Sequence, residues 1–156
     1  LLQTDNFSKW LLTQDKVTSV DSITDIIKRL NKNLHNNDEA WFNVPESREL
    51  AAQYLLLYEL SLPLGLGLDD TINNSRSASR LTVSFSKADS VYILELEKKA
   101  LAWLAENAPA IHVSEGTGLD IVFANLTFRN INSMMNGTSM ALILIFFSIL
   151  YFFFHF

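Results

Sequence analysis

The sequence predicts an α+β domain that continues, through one long helix, into a membrane-spanning segment. Three observations carry that expectation. Helical and strand periodicities alternate between residues 20 and 118, an unbroken helical pattern begins at Leu119, and residues 130–156 hold no Asp, Glu, Lys or Arg. Every formally charged side chain lies between Asp5 and Arg129.

Residues 1–19 are weakly patterned and stay unassigned. From Val20 the pattern sharpens: Val20, Ile23, Ile27, Leu30 and Leu34 form one apolar helical stripe, with Thr18 or Ser19 as cap and Asp25 and Arg29 on the polar face. Residues 34–38 are rich in turn formers. Asn43, Pro45 and Glu46 then read as the start of a second helix, apolar at almost every position from Leu50 to Leu62. A helix of that kind must be covered on most sides or face another subunit.

Pro63 and the glycines at 65 and 67 end it. Residues 68–73 and 80–85 read as two strands joined by a polar connection, with Leu81, Val83 and Phe85 on one face of the second. Asp89 or Ser90 caps a helix to about Asn107. Ile93, Leu96, Ala100, Trp103 and Leu104 line its buried face, and Glu95, Lys98, Lys99 and Glu106 point outward. Pro109 stops it, and Ile111-His112-Val113 is expected as a short third strand. Strand, strand, helix, strand after a preceding helix matches the back half of a ferredoxin-like split βαβ unit. The domain layout is therefore 1–19 unassigned, 20–118 α+β, 119–137 connecting helix and 138–156 transmembrane helix.

Between Leu142 and Phe156 every residue except Ser148, Tyr151 and His155 is Leu, Ile or Phe. These side chains favour bilayer insertion by about 4 to 7 kcal/mol. Gly137 alone interrupts the pattern, and a helix tolerates it. A buried core helix is the competing reading, but a chain of 156 residues has few places to hide a helix apolar on every side. Leu1 is not Met and the apolar run is cut short, so the chain reads as a piece of a longer one.

Composition narrows the function. With 12 Lys plus Arg against 17 Asp plus Glu, the formal net charge is -5, which argues against a nucleic-acid partner. The absence of cysteine excludes disulfides, thiolate metal sites and a cysteine nucleophile. His35, His112 and His155 have no metal-ligand spacing. Glu59 within the apolar helix and the pair Asp69-Asp70 read as solvated acids. Glu115-Gly116-Thr117-Gly118 has no lysine partner and reads as a turn rather than a phosphate loop. Four Asn-x-Ser/Thr sequons occur, at Asn6, Asn73, Asn125 and Asn136, a pattern frequent by chance. No catalytic, cofactor-binding or metal residue is expected.

Several stretches resemble one family. They are Val20-Asp21-Ser22-Ile23 with Arg29-Leu30-Asn31-Lys32-Asn33-Leu34-His35, the long run 48–63 after Pro45, and Ile72-Asn73. Ser77-Ala78-Ser79-Arg80-Leu81-Thr82-Val83, Glu115-Gly116-Thr117-Gly118 and Arg129-Asn130-Ile131 complete the set. Together they look like bacterial exporters of the resistance–nodulation–division (RND) superfamily, in the MMPL-like branch. The resemblance covers roughly residues 20 to 145.

It implies the later part of a first periplasmic, porter-type domain plus the start of a second transmembrane helix, in an inner-membrane, proton-driven exporter of hydrophobic or amphiphilic compounds. Its implied partners are the lipid bilayer, the remaining domains and helices of the parent exporter, a hydrophobic small molecule or lipid as substrate, and further copies in a homo-oligomer. No cofactor is implied. The Phe-rich run 146–156 and the missing basic residue after it depart from the family pattern. The alternative function is a membrane-anchored binding or scaffold ectodomain without transport activity. A soluble enzyme with an apolar C-terminal helix is a third reading, and it needs a convergent titratable pocket.

Overall fold

A computed structural model describes residues 1–63, 67–112 and 115–155. The chain divides into two compact units, Leu1–Lys87 and Ala88–Phe156. Helix and strand are both present, so the class is α+β.

The first unit opens with helix α1 (Leu2–Leu12), followed by strand β1 (Val17–Asp21). Helix α1 and the first three residues of β1 lie in the stretch 1–19 that sequence periodicity leaves unassigned. The expected helix start at Val20 is corrected: Val20 and Asp21 end β1, and helix α2 runs Ile23–Leu34. The reason is local. Ser22 and Asp25 form a reciprocal capping box, and the Ser22 N–H donates to Asp25 Oδ2 at 3.2 Å, which fixes the first turn. Val20 satisfies a helical stripe and an alternating strand equally well, and its side chain is buried from the strand.

A 3₁₀ turn at Glu39–Trp41 leads to helix α3 (Arg48–Ser61). Its cap is Ser47, whose Oγ accepts from the Leu50 N–H at 3.2 Å, not Asn43. The Asn43 side chain is occupied elsewhere, donating to the Ala40 carbonyl and accepting from Asn31. Ile23, Ile27, Ala51, Tyr54, Leu55 and Leu68 form the buried cluster, where α2 meets α3. Each fully buried large aliphatic there contributes about 1.5–3 kcal/mol.

The strand expected at 68–73 is not formed. The Leu68 carbonyl accepts from both the Thr71 and Ile72 N–H groups, at 2.8 and 2.9 Å, so Asp69 and Asp70 sit in a turn. Only an isolated Ile72–Ser79 bridge remains. Between its arms the Asn73 carboxamide oxygen accepts from the Ser77 and Ala78 N–H groups. The second expected strand survives as β2 (Thr82–Phe85), antiparallel to β1 with Val20 opposite Val83 and Asp21 opposite Thr82. Its expected alternation holds: Val83 and Phe85 are half-buried, and Thr82 and Ser84 are exposed. The register slips between Val17 and Ser19.

In the second unit, helix α4 (Ser90–Asn107) follows Asp89 as its cap residue. Ile93, Leu96 and Leu104 are buried, while Glu95, Lys98, Lys99 and Glu106 are exposed, as the periodicity requires. The short strand expected at 111–113 does not appear at Ile111 or His112. The Ile111 N–H bonds the Ala108 carbonyl in a turn around Pro109, and Val113 lies outside the described residues.

Gly116 approaches α4 closely: its N–H donates to Glu97 Oε1 at 2.8 Å, and a Cβ there would come within 2.5 Å of Ile121 Cδ1. Gly118 takes φ +137°, a conformation few other residues adopt. Helix α5 (Leu119–His155) then runs 37 residues through Gly137 without a break, its first turns packed on α4 around the buried Ala124.

Candidate membrane-spanning helix and polar cleft

At 1.5 Å per residue α5 is about 55 Å long, well beyond the roughly 30 Å of a bilayer's hydrocarbon core. About 20 residues suffice to cross such a core, so α5 has close to twice the length that a crossing needs. It is long and apolar enough to cross a membrane, and none of its most apolar 18-residue window is buried. A core helix of a soluble protein would be covered instead. Phe146 and Phe147 meet edge-on, and the Tyr151 and His155 rings stack at 4.8 Å.

The first unit contains a buried charge cluster. Lys28 Nζ on α2 lies 2.7 Å from Asp5 Oδ1 on α1 and 2.9 Å from Asp25 Oδ1, and Lys9 reaches Asp5 Oδ2 at 2.8 Å. The Lys28 ammonium also sits 5.4 Å from the Phe42 ring centroid. Burial pushes the Asp5 carboxyl up, but hydrogen bonds and charge from Lys28 and Lys9 outweigh it and hold the group below the usual carboxylate range. For Lys28 burial works downward, and its bonds and charges with Asp25 and Asp5 raise it above an ordinary lysine. Beside it, the Tyr54 hydroxyl donates to Asn31 Oδ1 at 3.1 Å, and Asn31 Nδ2 donates to the Asn43 carbonyl and side chain, both at 3.0 Å. These groups satisfy one another, which suits joining helices rather than proton transfer.

A cleft of about 200 Å³ opens between the start of α2, the strands and the 70–71 turn. Arg29 and Arg80 line it with Asp21, Asp25 and Asp70, and Ile26 adds an apolar wall. Sequence reasoning missed this grouping, because Asp21 and Arg80 are 59 positions apart and only the fold joins them.

The residues singled out from sequence do not converge. His35 stacks on Trp41 at 3.7 Å, with Nδ1 donating to the Asn31 carbonyl at 2.8 Å. His112 is exposed in an irregular segment, and His155 lies at the end of α5. Glu59 pairs with Arg76 at 2.7 Å on the surface. Asp70 joins the cleft wall. Among the described residues no group of three His, Asp or Glu side chains is placed to hold a metal. No family model, curated protein or solved structure matches the chain.

Proposed function

We propose that this chain is part of a proton-driven, inner-membrane exporter of hydrophobic or amphiphilic compounds, of the RND type in its MMPL-like branch. Residues before the span form part of its periplasmic substrate-handling domain. The observation that carries this reading is α5, which packs on α4 at one end and continues unbroken into an uncharged apolar span. A tilt of the intramembrane part, driven by protonation of acids in other helices of the parent, passes up such a helix as a rigid-body move. The substrate enters between porter units, and no residue of this chain performs a chemical step.

The α+β part is read as porter-type sequence with the element order of a split βαβ motif. Its support is that β1 and β2 pair antiparallel, that each is followed in sequence by a helix, and that the Ile72–Ser79 bridge leads into β2 like the remnant of a hairpin. Homo-oligomeric assembly belongs to the same reading, supported by the exposed Leu56, Leu57 and Leu60 on α3. A second reading, a membrane-anchored binding ectodomain, is favoured by the mixed-charge cleft, which needs no pump behind it.

Retention of a fluorescent amphiphile by cells separates the two. Cells expressing the parent protein are expected to retain less dye than cells lacking it, and a protonophore abolishes the difference. Equal retention with and without the protein overturns the exporter reading and leaves the anchored ectodomain.

A further inference from the structure

We propose that Arg129, Asn132 and Asn136 on α5 form a binding stripe for the phosphodiester of an anionic lipid headgroup. The inference rests on the reading of α5 as a membrane span. Spacings of three and four residues place the three side chains within about 60° of one another around the helix. All three are exposed, and among the described residues Arg129 has no ion pair or side-chain hydrogen bond.

Height along the helix selects the occupant. Asn136 is the last carboxamide on α5 before the uncharged apolar run that starts at Met140, so the near edge of a hydrocarbon core falls close to it. Asn136 then lies at that edge, Asn132 about 6 Å further out within a headgroup layer of about 5–8 Å, and the Arg129 backbone about 10 Å out, just past the layer's outer face and within reach of its long side chain. Because α5 is unbroken, this stripe runs along the helix axis, from the core edge to the outer face of the headgroup layer.

Charge complementarity points the same way. Arg129 is the only Lys or Arg after Lys99, in a chain whose net charge of -5 repels an anionic surface. A guanidinium takes a phosphate through two parallel hydrogen bonds, and carboxamide N–H groups serve its remaining oxygens or the ester carbonyls below. A zwitterionic lipid offers a phosphate already neutralised by its own ammonium, so the anionic lipid is preferred.

The test uses the full chain in phosphatidylcholine vesicles containing a minority of phosphatidylglycerol. Protease protection reads insertion, and mass spectrometry reads the phosphatidylglycerol that remains bound on extraction. The wild type is expected to enrich phosphatidylglycerol. Arg129→Gln is expected to insert equally and lose about fivefold of that enrichment, the worth of one surface cation, and Arg129→Lys to keep most of it. Undiminished enrichment in Arg129→Gln overturns the proposal while leaving the span intact. So does efficient disulfide crosslinking of Asn132→Cys between two copies, which makes the stripe a helix–helix interface. Absence of protection in every variant overturns the span reading, and the stripe with it.

Discussion

Lys28 Nζ lies 2.7 Å from Asp5 Oδ1, with side chains only 9% and 5% exposed, and this pair joins the first two helices of the chain. Two charges so enclosed stabilise a fold only through each other, because removing either leaves its partner buried and uncompensated. Lys28→Met is expected to cost about 2 kcal/mol, less than the full 3–5 kcal/mol of a broken buried pair because Lys9 still reaches Asp5. The double variant Asp5→Leu/Lys28→Met is expected to be more stable than Lys28→Met alone. Urea unfolding followed by circular dichroism measures both, and a double variant less stable than either single one contradicts the assignment.

The same pair sets a pH window. Asp5 is depressed in the folded protein, so its contribution is complete above the ordinary carboxylate range and is lost as pH falls through its folded value. Lys28 is raised, so its contribution is complete below an ordinary lysine's range and is lost as pH rises through its folded value. Stability from this cluster is therefore expected to be flat across neutral pH and to fall on both sides. Thermal unfolding from acid to alkali should show that plateau, and Lys28→Met should lose the alkaline decline attributable to it.

Tyr54 and Asn31 form the neutral counterpart. Tyr54→Phe removes one donor from a satisfied network and is expected to cost about 1 kcal/mol. Asn31→Leu leaves the Tyr54 hydroxyl and the Asn43 oxygens without their partner, and is expected to cost about 2–3 kcal/mol. Denaturant midpoints at constant slope give both values.

A charge in α5 tests the span directly. Leu144 lies near the middle of the 136–155 stretch, where an Arg costs about 3 kcal/mol of insertion free energy. Leu144→Arg is expected to reduce the alkali-resistant membrane fraction, while Thr127→Arg, in the outer half of the helix, leaves it unchanged. Equal extraction of the two variants removes the case for a bilayer span.

How much of this was legible in the sequence varied with the range of the interaction. Helices α4 and α5 were readable because their apolar patterns are local, and α4 is further framed by Asp89 before it and Pro109 after it. Strand β1 was not, since Val20 fits a strand and a helical stripe alike, and only Ser22 with Asp25 decides between them. The turn at 68–72 was hidden because its governing bonds run between backbone groups, which residue type does not encode. Asp5 with Lys28 and Arg29 with Arg80 meet only after the chain folds, so no local pattern announces them.

The unbroken course of α5 also fixes rotational phase. Each residue turns the helix by about 100° and raises it by about 1.5 Å, so the azimuth of Ala124 against α4 determines which way Leu144 faces in the apolar half of the helix. One alanine inserted near Gly137 would swing the two ends out of alignment by more than a quarter turn. Seven inserted residues would restore the azimuth to within about 20° while lengthening the helix by roughly 10 Å. Orientation and distance of the apolar half relative to α4 are thus separately adjustable through the number of residues in this one helix.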